Sequence, residues 1–178
     1  MTVVSERGFS QPKKNGFCEL YDQYTTEVSV INSRTIAHLR SAVFVNPVQA
    51  KTEIEAIDEL LSPLRNHPDL IDPVALRGAV LQRQKVDPPL LPMGIAFPHA
   101  RTDSVRSLVL AIGLCPEPVV FGDTSVRLIL LIGVPKTAIS EYLDLTSFLV
   151  RHLRNRPVVD RLMAATTMAE FLETFAEL

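Results

Sequence analysis

Apolar residues recur at helical spacing in several parts of the chain, and short, nearly continuous apolar runs lie between them. Ile54, Ile57, Leu60, Leu61 and Leu64 fall on one face, and Thr52 with Glu55 forms a T-x-x-E capping box, which predicts an amphipathic helix starting after Thr52. Asp72 and Pro73 supply an N-cap and a first-turn proline for a second helix carrying Ala75, Leu76, Ala79 and Val80 towards Arg83 and ending near Lys85. Near the C-terminus, Ile139, Leu143, Thr146, Leu149, Val150 and Leu153 share a face. A break at Pro157 is followed by a short helical turn through Val159 and Leu162. Thr167 and Glu170 form a second capping box before Met168, Phe171, Leu172, Phe175 and Leu178.

The segments between these helices read as strands. SLVLAIGL at 107–114 and SVRLILLIGV at 125–134 are apolar almost throughout, which suits burial on both faces, and PEPVVFGD between them has a short VVF segment and a Gly-Asp turn fit for an antiparallel connection. Ile95 to Phe97 predicts a further strand whose pairing Pro98 terminates, leaving His99 at the strand exit. VSVI at 28–31 is a candidate short strand, and TIAHLRSAVFVN alternates too loosely to assign. Residues 1–27 lack sustained periodicity and read as a partly disordered arm, with one principal domain over 28–178. Helices on both sides of the strand cluster predict an α/β or α+β sandwich, a mixed β-sheet covered by helices on both faces.

Composition narrows the chemistry. The 178 residues are 47% hydrophobic with a mean hydropathy of +0.18, enough for one buried core. A formal charge of -2, from 18 basic and 20 acidic residues, gives no global field for nucleic acid or an anionic membrane. Cys18 and Cys115 have no metal-ligand spacing and suggest no disulfide framework. The apolar block LILLIGV is too short to span a bilayer, and the N-terminus has no apolar signal core, so a cytoplasmic location is expected. No GxGxxG, GxxxxGK or HExxH motif occurs, so neither a cofactor nor a metal is expected. His152, in RHLRNR, reads as part of a solvated basic helix end, and His38 and His67 as surface or turn residues.

Several segments taken together carry more information. Arg83 ahead of His99, GIAFPHAR itself, VVFGD, a strand ending GVP, a helix of the form SEYLDLTSFL and the final TTMAEFLETF occur in an order that resembles the type-2 enzyme IIA domain of the bacterial phosphoenolpyruvate sugar phosphotransferase system, the mannitol/fructose and nitrogen-regulatory branch. The resemblance covers residues 28–178 and implies a mannitol-type IIA fold. It also implies that His99 accepts a phosphoryl group from the histidine phosphocarrier HPr and that Arg83 helps to hold it. Arg101 is a second basic neighbour, for phosphate or for a partner.

These residue types suit the reaction. A neutral imidazole, with its ordinary pKa of about 6.5, is a nucleophile at neutral pH, and catalysis of phosphoryl transfer is mostly positioning and charge stabilisation, which a guanidinium provides. Three positions depart from the family pattern: Tyr142 stands where a second histidine is usual, Pro88-Pro89 replace a Ser-Thr pair, and Gln84 replaces the acidic residue after the arginine. These departures point to a regulatory protein, nitrogen-system-like, acting on a target protein. The alternatives are a sugar-specific carrier that passes phosphate to a IIB domain and a IIA-like binding module that is never phosphorylated.

Overall fold

The computed structural model describes residues 33–176. The expected N-terminal arm, the candidate strand at 28–31, Cys18 and Leu178 lie outside the described residues. The elements run α1 (Ser33–Arg40), β1 (Val43–Val45), α2 (Glu53–Leu64), α3 (Pro73–Gln84), β2 (Leu90–Leu91), β3 (Ile95–Ala96), β4 (His99–Thr102), β5 (Val109–Phe121), β6 (Thr124–Pro135), α4 (Ile139–Leu153), α5 (Arg156–Ala164) and α6 (Met168–Ala176). The strands form one mixed sheet in the order β1-β5-β6-β3-β2, with β4 also paired to β6.

Alternation along the two long strands divides the core. Leu110, Ile112, Leu128, Leu130 and Ile132 point to one face, where Leu39 of α1, Leu145 and Leu149 of α4, Leu162 of α5 and Phe171 of α6 cover them. Val109, Ala111, Ile129 and Leu131 point to the other, under Ile57 and Leu60 of α2 and Leu76 and Val80 of α3. Helices therefore cover both faces, as the sequence of elements predicted. β5 and β6 pair antiparallel from Val109↔Gly133 to Phe121↔Thr124, with a shift between Leu114 and Val119. The VVF segment is thus the far end of β5 rather than a separate strand. The shift spans Pro116 and Pro118, which have no N–H to give a ladder and so fall where pairing is interrupted.

Both helix starts on the α2–α3 face follow their capping chemistry. Thr52 accepts from the Glu55 N–H, and the Glu55 carboxylate reaches back to the Thr52 N–H; Asp72 accepts from the Val74 and Ala75 N–H groups. At α6 the box is displaced by one residue. The Glu170 N–H still donates to the Thr167 hydroxyl, but the Glu170 carboxylate turns to the N–H and hydroxyl of Thr166.

Helical periodicity overstated three core positions, since Ile54 is 55% exposed, Ile139 41% exposed, and Ala75 lies outward. The segment left unassigned folds as α1 and β1. α1 has one turn of apolar pattern on either side of His38, too short for periodicity to show, and β1 is a three-residue strand held by its parallel pairing to β5, Val43↔Ala111 to Val45↔Gly113.

Close packing of α3 on the sheet depends on Gly133, opposite Val109 in β5 and Ala100 in β4. A Cβ there would stand 2.6 Å from Val109 Cγ2 and 3.3 Å from Leu76 Cδ1 of α3. Gly133→Ala should therefore destabilise the protein by about 1–3 kcal/mol through overpacking, read as a lower denaturant midpoint; an unchanged midpoint would show that α3 can retreat without cost.

Candidate phosphoryl-acceptor site

The sequence expectation placed His99 after the end of a strand, but the backbone continues. Ile95 pairs with Leu128 and Ala96 with Ile129, and after two residues His99 pairs with Ile132 and Arg101 with Val134, all parallel. The offset between partners is the same before and after Phe97-Pro98, so β3 and β4 lie on one line. Pro98 cannot donate to the ladder, yet its carbonyl still accepts the Ile132 N–H at 2.9 Å. The Phe97 N–H turns the other way, to the carbonyl of Pro89 at 2.8 Å. The Pro88-Pro89 segment thus holds the residue next to the turn, and β2 continues from it antiparallel to β3.

That local break orients the imidazole. His99 Nδ1 lies 2.9 Å from the Phe97 carbonyl oxygen. A carbonyl can only accept, so Nδ1 carries the ring proton and Nε2 holds the lone pair. Burial lowers the pKa of His99 below its ordinary value; the Phe97 carbonyl opposes the shift, and the Arg83 guanidinium adds to it. The ring is therefore neutral at pH 7, with a defined nucleophilic nitrogen.

Arg83 comes from the last turn of α3, which packs against β4. Its Nη1 donates to the carbonyl of Asp87 at 2.7 Å, which fixes the half-buried side chain; a guanidinium has five N–H donors, so one such bond leaves capacity for an anion. Arg83, His99 and Arg101 line one cleft of about 480 Å³, walled by Ala79 and Val86. Arg101 is exposed and lies on β4, two residues beyond His99. It also borders a second recess with Asp72, Ser104 and Lys136, where Lys136 pairs with Asp103.

Tyr142 lies in the first turns of α4, its N–H bonded to the Ala138 carbonyl at 3.1 Å. Its ring centroid is 5.4 Å from that of His99 with the planes inclined by 34°. Gln84, beside Arg83, is buried and donates from Nε2 to Glu53 Oε1 at 2.8 Å, while its Oε1 has no hydrogen-bond partner. An acid at this position would face the Glu53 carboxylate.

The other histidines are elsewhere, and two are more engaged than their surroundings in sequence suggested. His38 of α1 lies 3.4 Å from Glu141 of α4. His152 is half-buried, bonded through Nδ1 to the Phe148 carbonyl at 2.7 Å and packed on the rings of Phe148 and Phe175, so it belongs to the core margin rather than to a solvated helix end. His67 closes a turn by accepting the Asp69 N–H. Burial, with Glu59 adding to it, pushes the Cys115 thiol up to about 12, so it is not a nucleophile. The carbonyls of Phe97 and Asp87 were not foreseen, because a backbone acceptor leaves no mark in residue identity.

The family model described as "Phosphoenolpyruvate-dependent sugar phosphotransferase system, EIIA 2" matches residues 38–178. The chain belongs to this family. Among solved structures it is similar to the mannitol IIA of Escherichia coli, at 26% identity and a TM-score of 0.64, covering 74% of this chain and 94% of that one. It is also similar to the nitrogen regulatory protein IIA-Ntr of Neisseria meningitidis, at 22% identity and a TM-score of 0.67, covering 78% of this chain and 93% of that one; at that identity the likeness concerns the fold. A curated relative, the 2-O-alpha-mannosyl-D-glycerate-specific EIIABC component of Escherichia coli strain K12, is 28% identical over 148 residues, which are 80% of this chain and 22% of that protein. This chain is thus a type-2 IIA domain with the mannitol-type fold, and it spans about a fifth of the length of that multidomain relative. Among its described residues no helix is long and apolar enough to cross a membrane, and no group of His, Cys, Asp and Glu is placed to hold a metal ion.

The lowered pKa of His99 has a signed consequence for stability. Below about pH 6.5 the unfolded chain takes up this proton before the folded one does, so acidification destabilises the fold until the folded imidazole is itself protonated. The His99 contribution is present above about pH 6.5 and is lost as the pH falls through the folded pKa. In denaturant titrations from about pH 8 to pH 5, the wild type should lose stability more steeply than His99→Gln below about 6.5; parallel curves would mean that the imidazole titrates as it does in water.

Proposed function

We propose that this IIA domain is a phosphoryl carrier in which His99 Nε2 accepts the group from an HPr-type phosphocarrier, with a regulatory role. The observation that carries the reading is the Nδ1–H bond to the Phe97 carbonyl in a cleft shared with Arg83. The attacking lone pair on Nε2 forms the N–P bond as the donor's N–P bond breaks. Because Nδ1 keeps its proton, the product ring is an N-phosphorylated imidazolium, a good leaving group for onward transfer. Arg83 faces the negative charge spread over the equatorial oxygens in transit, where a charge-assisted hydrogen bond is strongest. Arg101, at the exposed rim, suits an approaching acidic partner.

Tyr142, Gln84 and Pro88-Pro89 favour regulation: they replace the second imidazole, the carboxylate and the Ser-Thr hydroxyls usual at these positions in the family, and a phosphate that stays on His99 changes the charge of a binding surface. The second reading is a sugar-specific carrier. It draws on the mannosylglycerate component and on the solved complex of the Escherichia coli mannitol IIA with phosphorylated IIB, to whose structure this chain is similar at 25% identity and a TM-score of 0.65, covering 85% of this chain and 99% of that one. Rapid discharge of phosphorylated protein by a IIB domain would favour it, and persistence of the label would favour regulation.

Incubation with phosphoenolpyruvate, enzyme I and HPr should add one acid-labile phosphate, absent in His99→Ala. Arg83→Ala should lower the maximal single-turnover rate roughly tenfold to a hundredfold, the equivalent of losing about 1.5–3 kcal/mol of charge-assisted bonding. Arg101→Ala should instead raise the HPr concentration for half-maximal rate and weaken its salt dependence. Phosphate retained in His99→Ala would overturn the assignment, and a wild-type maximal rate in Arg83→Ala would remove Arg83 from the phosphoryl site.

A further inference from the structure

We propose that Tyr142 is a positioning residue for His99, its ring forming the α4 wall of the imidazole and making phosphoryl uptake depend on one imidazole ionisation where a second histidine would impose two. Three observations converge on it. The rings are 5.4 Å apart and inclined by only 34°, close enough for the phenol to cover one side of the imidazole. Tyr142 itself is anchored, with its N–H on Ala138, its carbonyl accepting from the buried Thr146 hydroxyl at 2.7 Å, and its side chain packed on the core of the α4 face. Tyr142 does not line the cleft shared by His99, Arg83 and Arg101, so it restrains the ring without occupying the space into which a phosphoryl donor would come.

The chemistry follows from what a phenol lacks. It takes up no proton in the range where an imidazole titrates, so the wall keeps one charge state while His99 changes its own. Among the described residues, the charged groups that share the cleft with His99 are Arg83 from α3 and Arg101 on β4 itself, while Glu141, next to Tyr142 on α4, is paired with His38 of α1. Arg83 is the one of these that acts on the imidazole electrostatically, and it disfavours a second positive charge. By excluding water on its side, the Tyr142 ring contributes to the burial that keeps His99 neutral.

The proposal rests on His99 as the acceptor for its kinetic part only, so its two tests are separable. In the first, the His99 imidazole is titrated by NMR in the full chain without any partner. Tyr142→Phe, which retains the ring, should leave the midpoint and the Nδ1–H tautomer as in wild type, whereas Tyr142→Ala should move the midpoint upward towards the ordinary 6.5 and mix the tautomers. An unchanged midpoint and tautomer in Tyr142→Ala would overturn the wall. In the second, single-turnover uptake from phosphorylated HPr is followed against pH. Wild type and Tyr142→Phe should show one ionisation on the acid side, and Tyr142→His two; a single ionisation in Tyr142→His would overturn the kinetic part. Absence of uptake in every variant, wild type included, would count against the proposed function and leave the NMR result standing. Tyr142→Phe retains the packing volume, so a shifted midpoint in that folded variant would also refute a role for the ring.

Discussion

The parallel register of β3 and β4 along β6 survives a proline. Two residues, Phe97 and Pro98, drop out of the ladder, yet the same pairing offset resumes at His99, because the Pro98 carbonyl keeps its bond to Ile132 and the Phe97 N–H finds Pro89. This interruption without slippage releases one backbone acceptor, the Phe97 carbonyl, to face the imidazole two residues on. A continuous strand would have committed that carbonyl to the ladder, and a loop would have let it move. The tautomer of His99, its burial and its placement between α3 and α4 all depend on this short detour.

The elements that flank the detour work in opposite senses. α3 brings Arg83, a cation held by the Asp87 carbonyl, and can approach β4 because Gly133 leaves room beneath Leu76. α4 brings Tyr142, which adds apolar surface and no charge. A neutral imidazole between a cation and an aromatic ring is stable in the neutral state and attractive to an anion. Gln84 fits the same scheme on the far side of α3. Its amide ties the helix end to α2 through Glu53 without adding a negative charge near Arg83, although its own carbonyl oxygen is left without a partner.

Much of this was legible in residue order. The capping boxes at Thr52 and at Thr167, the Asp72-Pro73 start and the two long apolar strands predicted helices and a hairpin that the structure contains, since each signal is local and rests on backbone groups within a few residues. His99 and Arg83 were singled out through motif order, and the fold brings them to one cleft. What could not be read depends on contacts distant in sequence. β1 is a strand because of β5, and the path through Pro98 stays extended because β6 holds it, although a proline locally argues for an end. Ile54 and Ile139 have helical spacing but sit at helix starts, where the face that periodicity marks has not yet reached the sheet.

The position of β6 in the sheet has a consequence for synthesis of the chain. β6 is the partner of β3, β4 and β5, and it follows all three in sequence. A nascent chain that has emerged only as far as the β5–β6 turn already contains Arg83, Pro98, His99 and the β2 partner of β3, but not β6, the strand with which β4 pairs. Non-local parallel pairing of this kind forms late, because its loop-closure cost comes before any of its contacts. The extended line through His99 is therefore completed from the C-terminal side, by a strand made after the residue it holds in register.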